Sequence, residues 1–538
     1  MPASDTHYDV IIIGSGPGGA SVAHALAPTG KRIAILERGD YLPRERENWD
    51  AREVFVRGRY QVSDTWLDGQ GNSFQPGLHR FVGGNSKVYG AILFRLRESD
   101  FGEVRHVDGV SPAWPISYAD LEPWYDAAER LFHVHGARGE DPTEPPASNP
   151  YPYAAIRHEP RIQELAEGLT REGHHPFHLP VGVLLDQDDR GDALPHSPCI
   201  RCNRFDGYPC LTNGKADAQI MAVDPTLRDH TNVTLLTRTY AERLMTDARG
   251  GTITGVAVRQ GIEGDDPETG ISRTLTADIV VVACGALSSA LLMLRSGSDA
   301  HPDGIANGSG LVGRRYIRHN NAVVLAISRQ PNPTRFQKTL GLNDFYHAPD
   351  QGGMGDWEFP LGHIQMVGKS DGEQIEGEAL PGALQGFTDK PFDWLARHSL
   401  DFWLTSEDLP RPENRIRYDG GRVRLDLTPT NMEAHRRLRA KLSDLVGRLD
   451  AHPHLMDRSL YFGQNVPVSG TAHQAGTMVF GTNPSTSVLD VDCRAHGIDN
   501  LYVADASFFP SIGAVNPTLT IIANALRVGD IIARRISV

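Results

Sequence analysis

The sequence predicts an α/β fold built on a parallel sheet, and three observations predict it. The run from Asp9 to Ile13 in "YDVIIIG" is apolar without alternation, as in a strand covered on both faces. Gly14, Gly16 and Gly19 follow it directly and lead into a helical pattern, "ASVAHALA", and a second apolar run, "KRIAILE". A third such run, Ile279 to Ala283 in "DIVVVACG", stands in the middle of the chain. At 538 residues the chain exceeds one core, which implies two or three domains, or domains interwoven from several segments.

Each N-terminal element has a physical reason. The first strand is uniformly apolar because a central parallel strand meets no water. The spacing G-x-G-x-x-G supplies a tight turn, close approach of backbone to a pyrophosphate, and close packing of helix on strand, with the helix N-terminus facing negative charge. Glu37, ending the second strand, suits a ribose hydroxyl. Strand, glycines, helix, strand and acid in that order predict a Rossmann-like dinucleotide-binding unit. The motif alone admits NAD or FAD. Its start within the first fifteen residues and the sequel "ERGD" lean to FAD, and an acid where a 2′-phosphate needs a cation disfavours NADP.

Composition excludes other classes. With 40% hydrophobic and 22% charged residues the chain reads as globular, and a formal charge of -14 argues against nucleic acid and against an anionic membrane surface. No stretch reaches the length of apolar residues that a spanning helix needs, and "MPASDTHYDVIIIG" is unlike a signal peptide. Five cysteines, an odd set, argue against a disulfide framework, and the expected compartment is the cytoplasm.

Four blocks together resemble the glucose-methanol-choline (GMC) oxidoreductases, FAD enzymes that oxidise alcohols, over nearly the whole chain. The first is the glycine block, Ser15 included. The second, "HRFVGGNSKVYGAILFRLRESDFGE", is similar to the family segment beside the isoalloxazine ring, where Gly83, Gly84 and Asn85 let backbone approach the flavin. The third is "DIVVVACGALSSALLMLRSGS". The fourth, "IDNLYVADASFFPSIGAVNPTLTIIANALRVGDIIARRI", reads as a strand, an Asp-Ala-Ser turn and a long closing helix. The resemblance implies that Asp505 and Ala506 lie near the ribityl and phosphate portion, with Thr518 also among the cofactor contacts. "TNVTLLTRTYAERLMTD" resembles the strand pair whose backbone touches adenine, at Ala241, and "GLVGRRYIRHN" resembles a further family segment.

The architecture implied is a Rossmann-like FAD-binding domain assembled from 1–95, 195–320 and 460–538, interleaved with an α+β substrate domain from 96–194 and 321–459 that contains a largely antiparallel sheet. "RIRYDGGRVRLDL" supports that sheet locally, since two alternating runs flank a hairpin turn at Asp419-Gly420-Gly421. "GARGEDPTEPPASNPYPY" and "GKSDGEQIEGEALPGALQG" read as loops, each a lid, an oligomer contact or plain surface.

Oxidising an alcohol takes a proton from oxygen and a hydride from carbon, so a base must stand beside the flavin. By resemblance that base is His473, with Asn516 opposite it in the turn before the last helix. "NPTLTIIANALRVGDIIARRI" also fits Asn516 as N-cap with Pro517 at the first helical position. Gln365, in "FPLGHIQMVGK", is either a hydroxyl ligand or a core-strand residue turned to solvent. Where larger pyranose oxidases bond a histidine to flavin this chain has Val88, so the FAD is expected to be non-covalent. Cys199, Cys202 and Cys210, with His196 nearby, lack a local fourth thiolate, and no metal is expected.

The resemblance is nearest to pyranose-oxidase-like enzymes. It implies oxidation of a secondary hydroxyl of a sugar or glycoside, at C2 or C3 of a pyranose, with oxygen or another acceptor taking the electrons. A choline-type, sterol or aliphatic alcohol dehydrogenase is the alternative within the family, and a flavin-binding protein without turnover the alternative outside it.

Overall fold

The computed structural model describes residues 6–348, 356–379, 389–419, 421–449, 451–457 and 473–537. Gly420, residues 380–386 of the second loop, and 460–472 of the third cofactor segment lie outside the described residues.

The chain forms a Rossmann-like α/β sheet interleaved with an antiparallel sheet backed by helices. The parallel layer runs Val233–Leu236, Ile33–Leu36, Thr6–Ile13, Ile271–Val282, with Leu501–Val503 paired to the far end of Ile271–Val282. The near end of that long strand instead continues antiparallel into Ile253–Gln260 and Thr239–Thr246. Val10, Ile11 and Ile12 are wholly buried, as their unbroken apolar run requires. Val233–Leu236 and Thr239–Thr246, read as a strand pair, are not bonded to one another and stand at opposite ends of the strand order.

Close packing explains the glycines. Gly14 has φ +107°, and a Cβ there would stand 2.3 Å from the Ala283 carbonyl oxygen. A Cβ on Gly19 would meet the Gly14 carbonyl oxygen at 2.0 Å, which seats the helix Pro17–Leu26 on the first strand. The closing helix, Thr518–Ile536, crosses that first helix at Gly529, where a Cβ would lie 2.6 Å from Ala25 Cβ.

The larger antiparallel sheet orders Ala451–Asp457, Asn320–Ser328, Ser399–Ser406, His363–Met366, Leu340–Leu342, Pro176–His178. One face buries Val324, Ala326, Phe402 and Leu404 under the helices Pro160–Arg171 and Met432–Arg448. The opposite face carries Asn321, His363, Gln365 and Thr405, following the period of two along each strand. The hairpin Arg415–Asp419 and Arg422–Asp426 forms with Asp419 opposite Arg422, yet it belongs to a different sheet. It joins Gln474–Thr477, Arg314–Arg318, Trp66–Asp68 and Ser73–Phe74 in a mixed sheet drawn from four distant parts of the chain. Alternation marks a hairpin but carries no information about which edge receives it.

In the Pro-rich loop, Arg97 and Asn343 hold Asp141, and Arg138 bridges Glu129 and Glu144. Among the described residues no helix is long and apolar enough to cross a membrane.

Candidate active site

One cavity of about 650 Å³ runs from the first glycine turn to the start of the closing helix. Gly14, Ser15 and Gly16 line one end with Glu37. Gly84 and Asn85 line its flank, Ala241 its outer end, and Asp505, Ala506, Asn516 and Thr518 its inner wall. Gly19 and Gly83 do not line it. Gly19 acts through packing, and the backbone N–H of Gly83 donates to Ser15 Oγ at 3.2 Å, which ties the second block to the first. Gly83 has φ +97°, a conformation that favours glycine.

Buried carboxylates organise the walls. Glu37 accepts from Ser15 Oγ at 2.6 Å and from Gly39 N at 2.9 Å; burial pushes its pKa up, against those hydrogen bonds. Asp505 accepts from Gly285 N at 2.9 Å and Ser507 N at 2.8 Å, and also meets Ser289 Oγ. It thereby joins the third block to the fourth. Asn85 bonds backbone on both sides, accepting from His79 N at 2.8 Å and donating to the Gly77 carbonyl at 3.1 Å.

The cavity fits a dinucleotide. Gly16 is the N-cap of the helix Pro17–Leu26, and a Cβ on it would meet nothing within 4 Å, so the helix N-terminus stands open to the cavity. Arg38 and Arg295 line the outer end, and each leaves its buried Nε without a hydrogen-bond partner among the described residues. Burial and like-charged neighbours lower both guanidinium pKa values to about 10. Unsatisfied cationic donors at this end suit an acceptor-rich, anionic ligand. No sequence motif signals them, because the orphaned nitrogens arise only where 38 and 295 converge.

The other end holds His473. Its Nε2 lies 3.3 Å from Asn516 Nδ2, and its Nδ1 lies 2.9 Å from His319 Nδ1. Both His473 and Asn516 line the cavity, so the structure brings the two candidate residues together across 43 positions of sequence. Burial, and then His319, Lys338 and His363, hold the His473 pKa well below 6.5. The imidazole is therefore neutral at neutral pH, the state a base requires. The closing helix begins one residue later than expected: Pro517 is its N-cap, without a side-chain capping bond. Asn516 stands outside the helix, its amide given to His473 rather than to the helix end.

Gln365 is not on the cavity wall. It is buried, 2% exposed rather than turned to solvent, and its Oε1 lies 3.1 Å from His363 Nε2. Val88 follows the short helix Gly84–Lys87 and is not among the lining residues. Cys199, Cys202 and Cys210 are free. Burial raises the Cys199 thiol to about 12 and raises Cys202 too. Among the described residues no group of three or more His, Cys, Asp or Glu side chains is placed to hold a metal.

Comparison with known proteins identifies the family and the fold. Residues 12–45 match a model of the NAD(P)-binding Rossmann-like domain, residues 48–321 a GMC oxidoreductase model, and residues 410–525 a second model of that family. The 6′′′-hydroxyparomomycin C oxidase of Streptomyces lividus is 31% identical over 99% of this chain and 93% of its own length. The paromamine 6′-oxidase of Streptomyces fradiae is 29% identical over 98% of this chain and 93% of its own. The fold is shared with a pyridoxine 4-oxidase from "Mesorbium loti", at a TM-score of 0.62 and 17% identity over 97% of this chain and 98% of that one. Since the 48–321 model spans half the chain and the second reaches through Asn516, the chain belongs to the GMC oxidoreductases, FAD-binding enzymes that act on CH–OH groups.

Proposed function

We propose that the chain oxidises a hydroxyl of a sugar or glycoside, a secondary ring hydroxyl at C2 or C3 of a pyranose, with His473 as base and Asn516 as the second polar contact. The observation that carries this reading is the meeting of His473 Nε2 and the Asn516 amide on the wall of the cavity that fits a dinucleotide. FAD, when bound, supplies the acceptor for the hydride leaving carbon. His473 takes the hydroxyl proton and releases it after the product leaves. Asn516 turns its amide N–H from Nε2 to the incoming oxygen and so orients it. The electrons pass on to oxygen or another acceptor. The activities named for the two Streptomyces relatives support a sugar-like substrate.

A second reading, an amine-bearing substrate such as paromamine, is supported by the activity named for the Streptomyces fradiae relative. One experiment addresses both. The holoenzyme is mixed anaerobically with D-glucose, methyl β-D-glucopyranoside, paromamine, choline and 2-methyl-1,2-propanediol, and flavin bleaching is followed. Bleaching by a sugar or glycoside with a ring ketone in the product is expected. Bleaching by paromamine alone selects the second reading, and bleaching only by choline or the diol overturns both.

The FAD is proposed to be non-covalent. Acid precipitation is expected to leave yellow cofactor in the supernatant, and colour retained in the pellet overturns that. We place the enzyme in the cytoplasm, supported by its five free cysteines.

A further inference from the structure

His319 stands behind His473 with both ring nitrogens engaged. Its Nε2 lies 3.0 Å from the carbonyl oxygen of Gly513, and its Nδ1 lies 2.9 Å from His473 Nδ1, the two rings meeting edge to face at 90°. A carbonyl oxygen only accepts, so the proton of a neutral His319 is on Nε2 and its Nδ1 carries a lone pair. Two lone pairs cannot face each other at 2.9 Å. The proton between the rings therefore belongs to His473 Nδ1, which leaves the His473 lone pair on Nε2. The third contact agrees, because the group facing that Nε2 is an amide N–H of Asn516, a donor.

We propose that His319 is a positioning residue that sets the tautomer of His473, holding the proton on Nδ1 so that Nε2 is free to receive the substrate's proton. This rests on the reading of His473 as base. A neutral imidazole in water divides between two tautomers, and the hydrogen bond at one nitrogen decides which nitrogen is free to react. His319 supplies that decision. It also supports the product of the step: once His473 is protonated at Nε2, its Nδ1–H bond to His319 becomes charge-assisted and strengthens.

The protein invests structure in holding His319 still. It is 1% exposed, and burial lowers its pKa to about 4, so it stays neutral across the neutral range. Its anchor is gripped in turn, because the backbone N–H groups of Ile512 and Gly513 donate to Glu407 Oε1 at 3.2 and 3.0 Å, and Glu407 also accepts from Ser111 Oγ at 2.6 Å. Glu407 pairs with His106 at 3.1 Å, and its pKa is lowered despite burial. The chain of contacts runs from Glu407 through the Gly513 segment and His319 to His473. The titratable groups that bear on the pair are Glu407 on His319, and Lys338 and His363 on His473.

The test is ¹⁵N NMR of the histidine-labelled holoenzyme, with the His473 resonances assigned by their loss in His473→Asn. In the parent protein His473 is expected to carry its proton on Nδ1; a proton on Nε2 overturns the proposal at once, with no substrate and no kinetic comparison needed. His319→Gln can accept from His473 and donate to Gly513, and is expected to keep the Nδ1–H tautomer. His319→Met is expected to lose it. Anaerobic flavin reduction by methyl β-D-glucopyranoside or paromamine is expected to slow roughly 10²-fold in His319→Met and to return within a few-fold of the parent in His319→Gln, with the acid limb of the pH profile displaced only in His319→Met. If the Met variant binds FAD and keeps the parent tautomer, the proposal fails. If His473→Ala reduces its flavin as the parent does, the base reading fails, while the tautomer spectra still judge His319 separately.

Discussion

His473→Ala is expected to bind FAD normally and to lose flavin reduction by roughly 10²–10⁴-fold, the share that a positioned base contributes. The two halves of that expectation have separate causes. Cofactor retention is expected to depend on the glycine turn, Glu37, Asp505 and the arginine-lined end of the cavity, none of which is hydrogen-bonded to His473 among the described residues. Proton removal depends on one nitrogen, Nε2, and alanine leaves only the Asn516 amide there. Stopped-flow reduction under anaerobic conditions reads the rate, and the ratio of flavin to protein absorbance reads the occupancy. Unchanged reduction rejects the base; lost flavin reassigns the residue to binding. The sign of the pH dependence also follows. Because its pKa is held well below 6.5, His473 remains unprotonated as pH falls through that value. Parent reduction is expected to stay level through pH 6.5 and to fall only further into acid, whereas a solvated histidine would already be half inactive there.

Gly18→Ala is expected to yield little FAD-bound protein. A Cβ on Gly18 would stand 1.7 Å from the carbonyl oxygen of Ala504, with the Asp505 Cα at 3.4 Å. Neither side can withdraw. Gly18 lies in the first turn of Pro17–Leu26, and Ala504 is held by its N–H to the Val282 carbonyl at 2.9 Å, directly after the paired residue Val503. Separating them displaces the helix N-terminus from the Asp505 turn, two adjoining features that both line the cofactor cavity. Overpacking of this kind costs about 1–3 kcal/mol where side chains absorb it, and here backbone must. The same substitution at Gly447, inside Met432–Arg448 with nothing within 4 Å of the added Cβ, is expected to stabilise by up to about 1 kcal/mol. Thermal melts of the two variants should move in opposite directions, with flavin content falling only in Gly18→Ala; similar behaviour contradicts the packing argument.

Gly18 also shows where sequence reading stops. Gly14, Gly16 and Gly19 are legible because their spacing encodes a local turn, whereas the need for glycine at 18 is created by a carbonyl 486 residues away. The first strand, the glycine turn and the closing helix were legible for the same local reason: their patterns are periodic and their neighbours lie nearby in sequence. The sheet that receives the 415–426 hairpin was not, since edge pairing depends on strands at 66–68, 314–318 and 474–477. His473 and Asn516 became candidates only through resemblance. His319 sat inside a recognised stretch, "GLVGRRYIRHN", with no mark on it, because its role is set by two partners 154 and 194 residues further on.

The parallel layer closes only when Leu501–Val503 pairs with Ile271–Val282, and the cavity wall only when Asn516 follows. During synthesis, at about 5–20 residues per second, roughly 25–100 s separate Gly14 from Asn516. At that rate residues 33–36 follow Gly14 within roughly 1–4 s and residues 275–282 within roughly 13–54 s, so one edge of the strand Thr6–Ile13 stays open for about half of the interval. The cavity wall is therefore complete only after Asn516 has been made, and capture of FAD by the whole site follows synthesis of the last part of the chain.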